Sequence, residues 1–199
     1  MKINGKNWRV SGNAPVILLF TALSFGALLL NGITGDWANR TLFSVYRASF
    51  LDPFTYIRFF THVLGHANWS HFIGNMMLLL VIGPLLEERY GSAEILVVIL
   101  TTAFVTGAAH FLFAPGSRLL GASGVVFACI LLSSLGSLKE GEIPLTFLLV
   151  AVIYLGQQVY GALFLKDGVS YLTHILGGMT GASFGYLMNG HRRSGRYPL

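Results

Sequence analysis

Apolar residues in this chain gather into long runs free of Asp, Glu, Lys and Arg, while charged residues collect between the runs and at the two ends. A helix that crosses a bilayer needs about 20 mostly apolar residues. Six stretches fit: Ala14 to Thr34 inside a longer run from Val10 to Gly35, about Ser70 to Leu86, about Ile95 to Phe113, about 119–138 between Arg118 and Lys139, Ile143 to Leu165, and Gly168 to about Asn189. The first reads as a helix and not as a cleaved leader: its apolar core is too long, and no small-x-small site precedes a soluble remainder. The pattern therefore predicts an all-α polytopic membrane protein, a six-transmembrane-helix bundle forming one domain over residues 1–199.

The longest connection, about 35–69, carries Trp37, Phe43, Tyr46, Phe50, Phe54, Tyr56, Phe59 and Phe60. Such a loop is too apolar to float in water and is expected to lie in the interfacial region, where aromatic rings are favoured.

Composition agrees with the pattern. Of 199 residues, 54% are hydrophobic and 11% charged, against roughly a quarter charged in soluble domains. The net charge of +5 would suit a nucleic-acid binder, but its placement at span ends and termini points to membrane topology and no nucleic acid. The single cysteine, Cys129, lies within an apolar run, which excludes an intramolecular disulfide and a Cys-based metal cage. No internal repeat suggests an inverted-repeat transporter.

Six spans put both termini on one side. Lys2, Lys6, Arg9, Arg89, Lys139, Arg192, Arg193 and Arg196 fall on that side, and Arg40, Arg47, Arg58, Arg118 and Lys166 on the other. The excess of basic residues places the termini in the cytoplasm. It rests on the terminal residues, since the loops alone lean the other way.

Polar side chains inside spans are costly, and ionisable ones are candidate functional groups. His71 and Asn75, spaced i, i+4, open the second span; Ser123 lies near the start of the fourth; His174 lies near the start of the sixth. Spans two, four and six share a direction, so these groups share one leaflet. At about 1.5 Å per residue, Ser123 is roughly 8 Å past Arg118 and His174 roughly 10 Å past Asp167. Gly177, Gly181 and Gly185 recur every four residues and make one face of span six suited to close packing. If Gly121, Gly124 and Ala128 of span four meet that face, Ser123 and His174 come within hydrogen-bond reach. A serine beside a neutral histidine is an activated nucleophile. His71, Asn75 and the Ser123 backbone N–H are suitable donors to an oxyanion. Neither span four nor span six holds an Asp or Glu, so the chemistry would be that of a dyad.

With these motifs in order, the chain resembles the rhomboid family of intramembrane serine proteases over about Tyr56 to Leu187. The motifs are His71-x-x-x-Asn75 preceded by His66, Gly121-x-Ser123-Gly124, and His174-x-x-Gly177. Arg58 and the run Glu87, Arg89, Gly91 and Ser92 add to them. The resemblance implies that Ser123 is the nucleophile, His174 the general base, and His71, Asn75 and the Ser123 amide the oxyanion-stabilising groups. It implies the minimal six-helix bacterial form with cytoplasmic termini, in a bacterial inner membrane, with the active site toward the outer face. The expected partners are membrane lipids and single-span transmembrane substrates cleaved near that face. Three positions depart from the family pattern: Ile57 stands for a tryptophan, Thr173 for an alanine, and Phe127 for a tyrosine found in some members.

Each residue also has a plainer reading. A lone serine in a span bonds to its preceding turn, and a lone histidine is a packing residue; the joint placement overrides both. His62, His66 and His71 lack the glutamate of a zinc motif and read as loop braces, so no metal and no cofactor is implied. His110 reads as a packing or snorkelling residue, and Glu87 with Arg89 as a structural clamp. Two other functions compete with proteolysis. An inactive rhomboid-like client-binding protein has no need of all four polar groups, and a small transporter would need an ionisable midplane route.

Overall fold

Proline at the first helical position starts α1, Pro15–Thr34, and Gly35 ends it in the left-handed conformation. The computed structural model of the chain describes residues 2–3, 6–7, 12–135, 143, 145–164 and 168–193. After α1 come α2, Trp37–Thr41; α3, Pro53–Thr61; a 3₁₀ turn, His62–Leu64; and α4, Trp69–Tyr90. Then follow α5, Ser92–Phe113; α6, Ser123–Ser134; α7, Leu145–Phe164; and α8, Gly168–Arg193. A two-residue antiparallel pairing of Lys2–Ile3 with Lys6–Asn7 precedes them.

A helix lies in each of the six predicted stretches, and the protein is an all-α polytopic membrane protein. Among the described residues, α1, α4 and α5 are long and apolar enough to cross a membrane. The fourth stretch differs from expectation: its helix has only 12 residues, and the chain from 114 to 122 is non-helical. That short helix is the centre of the bundle, packed by α4, α5, α7 and α8. Its Val125, Ala128 and Leu132 are fully buried, whereas α1 and α4 expose Leu19, Ile33, Met77 and Val81 as helices facing lipid do.

The start of α1 and the end of α4 are locked by one carboxylate. Ala14 supplies no side-chain cap, and Glu87 takes that role from across the bundle. Its oxygens accept from the backbone N–H groups of Val16 at 2.9 Å and Ile17 at 3.0 Å, and from Ser92 Oγ at 2.7 Å. A negative charge at a helix N-terminus satisfies orphan donors and the helix dipole together. Glu87 is thus the structural clamp that its position suggested.

The long connection is folded. Arg58 is buried and donates to Asp52 at 2.7 Å, to the Thr41 carbonyl at 3.2 Å and to Thr55 Oγ1 at 3.1 Å. Phe59 packs on Phe104 and Phe111 of α5. Asn39 is buried, donating to the His66 carbonyl at 3.1 Å. Trp37, Phe50, Leu51, Tyr56 and Ile57 remain exposed.

Candidate active site

The segment that enters α6 is pinned twice. Val45 and Leu119 exchange two backbone hydrogen bonds of 2.9 Å, and the Gly121 N–H donates to the His62 carbonyl at 2.9 Å. Gly121 has φ +130, a region that L-residues rarely adopt. A Cβ there would also stand 2.7 Å from His71 Cε1 and 2.8 Å from Nε2. Glycine is required by conformation and by contact, and the imidazole of His71 is thereby laid against the backbone two residues before Ser123.

The helix then begins at Ser123 itself, with Ala122 as its cap residue. Sequence alone places Ser123 near the start of the fourth span, a turn or so past Arg118; in the structure it is the first helical residue. The first N–H groups of a helix have no intrahelical acceptor, so hydroxyl and amide both sit at the positive end of the helix dipole.

The α8 glycines bring in the histidine. A Cβ added to Gly177 would collide with the Gly124 carbonyl, and one on Gly181 with the Ala128 carbonyl. The two helices touch backbone to backbone, on the faces that glycine spacing predicts. His174, one turn before Gly177, places Nε2 2.8 Å from Ser123 Oγ. With the proton on Nδ1, the hydroxyl donates and the imidazole accepts. The Phe127 ring lies 4.7 Å from the His174 ring, tilted by 54°, and restricts its rotation. Thr173 beside it is buried.

His71 and Asn75 occupy one face at the start of α4. Asn68 caps that helix, its Oδ1 accepting from the His71 N–H at 2.9 Å. Asn75 is 8% exposed, and its Nδ2 has no hydrogen-bond partner among the described residues. A buried amide donor left unsatisfied is costly, and it stands one turn along the helix from His71. Ser123 and His174 are thus in direct contact, and the His71 ring lies against Gly121, two residues before Ser123.

The loop histidines support this arrangement from behind. His62 is buried, with Nδ1 3.1 Å from the Arg58 carbonyl and Nε2 3.4 Å from Thr106 Oγ1. His66 is fully buried, its ring 5.1 Å from that of His71. Burial pushes both imidazoles from 6.5 down to about 4; at His66 the neighbouring His71 adds to the effect. His110 is buried, Nε2 lying 3.1 Å from the Ser117 carbonyl, as a packing residue does. The pattern of residues missed the His62 carbonyl as the anchor of Gly121. A contact made by backbone between distant positions leaves no mark on residue type.

A family model described as the Rhomboid domain matches residues 53–191. Rhomboid-related protein 2 of Mus musculus is 30% identical over 142 residues, which cover 65% of this chain and 47% of that protein. Rhomboid-related protein 1 of Caenorhabditis elegans is 29% identical over 140 residues, 66% of this chain and 39% of that protein. Rhomboid protease GluP of Bacillus subtilis (strain 168) is 28% identical over 123 residues, 60% of this chain and 24% of that protein. The chain thus spans less than half the length of the curated relatives it matches.

Proposed function

Since the chain belongs to the rhomboid family, a family that includes intramembrane proteases such as the Bacillus relative, we propose that it is an intramembrane serine endopeptidase working through a Ser123–His174 dyad. The observation that carries this reading is the 2.8 Å contact between Ser123 Oγ and His174 Nε2.

In the proposed reaction, Ser123 Oγ attacks the scissile carbonyl while its proton passes to His174 Nε2. The tetrahedral oxyanion is met by the Ser123 N–H, the unpartnered Asn75 Nδ2 and a ring N–H of His71. His174 then gives the proton to the departing amine. A water, deprotonated by the same imidazole, hydrolyses the acyl-enzyme. With no carboxylate in α6 or α8, imidazole orientation falls to packing, and Phe127 is the ring in place to supply it.

The substrate is a single-span membrane protein. A peptide carbonyl inside a stable helix is shielded by its own hydrogen bond, so the cut falls where the segment unwinds readily, at small or helix-destabilising residues. The starts of α4, α6 and α8 lie at one end of the bundle, as the His71–Gly121 and Gly124–Gly177 contacts require. By the distribution of basic residues, that end faces outward and the termini lie in the cytoplasm; the resemblance to the minimal bacterial form supports a bacterial inner membrane.

Labelling with a serine-directed fluorophosphonate tests the reading. Ser123 takes the label in the wild type, and both Ser123→Ala and His174→Ala abolish it; equal labelling of the His174→Ala variant would refute the dyad.

A further inference from the structure

At the end of the bundle where α1 and α5 finish, a pocket of about 260 Å³ is lined by Arg40, Tyr46 and Arg118. Its parts come from three separate stretches of chain and are held in place. Tyr46 and Arg118 are neighbours of Val45 and Leu119, whose paired backbone hydrogen bonds fix the two strands side by side. The Tyr46 ring is backed by the buried Arg58 guanidinium, 4.6 Å from its centroid. Arg40 Nε donates to Asp36 Oδ2 at 2.9 Å, and Arg118 reaches the same oxygen at 3.3 and 3.4 Å.

Asp36 has φ +71, the only non-glycine residue with positive φ among the described residues. Backbone strain of this kind concentrates at functional positions. Here it turns one carboxylate toward two guanidiniums. The Arg40 hydrogen bond, followed by the charge of Arg118, holds that carboxyl below its usual range. The cluster therefore carries two positive charges against one negative, with guanidinium N–H groups left over once the shared oxygen is served.

Its level in the membrane follows from the chain. Ile33 and Trp37 flank Asp36 in sequence, Leu112 and Phe113 close α5, and all four are exposed apolar groups. Apolar side chains exposed at the ends of spans face acyl chains, and Trp marks the headgroup boundary. Arginines just beyond that boundary stand at the depth of lipid phosphates, which guanidinium binds through paired N–H donors.

We propose that Arg40 and Arg118, with Tyr46 as the wall, bind the phosphodiester of an anionic phospholipid headgroup. Such binding is independent of proteolysis. Because Arg118 precedes the Gly121–Ser123 segment by only three residues, an occupied site also braces the entry to α6.

Native mass spectrometry of the full chain, titrated with phosphatidylglycerol, phosphatidylcholine or inorganic phosphate, tests it. The wild type retains phosphatidylglycerol over phosphatidylcholine, and inorganic phosphate at millimolar concentration does not displace it. Arg40→Gln combined with Arg118→Gln weakens phosphatidylglycerol binding by roughly tenfold or more, since each substitution removes about one interfacial charge interaction. Asp36→Asn removes the competing charge and tightens it. A cluster that served only as a structural clasp would leave phosphatidylglycerol retention unchanged in Asp36→Asn, so that variant decides even if the double variant folds poorly. Unchanged binding in the double variant, equal retention of the two lipids, or displacement by inorganic phosphate would each overturn the proposal.

Discussion

Gly181 of α8 lies against the backbone of Ala128 in α6 so closely that a methyl group on it would collide with the Ala128 carbonyl. The neighbour is backbone, which cannot rotate aside, so any side chain at 181 must push the helices apart. Gly181→Ala is therefore expected to separate Ser123 from His174 while helix content survives. A displacement near 1 Å costs about 100-fold in rate. Cleavage assays paired with circular dichroism check this; retained activity would mean that the interface yields elsewhere.

Phe127 is the group in place to hold His174. Its replacement by Ala removes an aromatic interaction worth about 0.5–1.5 kcal/mol, and activity is expected to fall roughly fivefold through kcat. Phe127→Tyr keeps the ring and should stay within about twofold. Steady-state kinetics on one substrate compare the two.

Glu87 holds three hydrogen bonds at the α1–α4 junction while only 4% exposed. Glu87→Ala leaves two backbone donors orphaned and is expected to cost about 2–4 kcal/mol. Ser92→Ala, losing one bond, should cost about 1 kcal/mol. Unfolding in mixed micelles measures both.

Acid should loosen the loop that carries His62 and His66. Both are neutral and buried in the fold, with values near 4 against 6.5 when unfolded. The unfolded chain thus takes up protons that the fold refuses. Stability is full above about pH 6.5 and falls as pH drops toward 4. Thermal unfolding followed from about pH 7.5 to about 4.5 reads this directly, and His62→Gln should flatten the slope.

The helices were legible because a bilayer demands long uninterrupted apolar runs, and the α6–α8 contact because glycine at every fourth position has few other uses. Ser123, His174, His71 and Asn75 stood out as polar residues in apolar runs. The late start of α6 was not legible: Leu119 and Leu120 continue the apolar run, and only the backbone pairings of Leu119 and Gly121 keep that segment extended. The same holds for Asp36, whose partner Arg118 is 82 positions away, and for Glu87 capping α1, 70 positions away. Residue type announces that a charge needs a partner but not which one.

The central claim is the dyad, and the direct measurement is cleavage of a single-span substrate reconstituted with the protein in liposomes. Wild-type protein is expected to release the fragment, and Ser123→Ala and His174→Ala each to release none above background while unfolding at the wild-type temperature. A Ser123→Ala protein that still cuts the substrate would contradict the account.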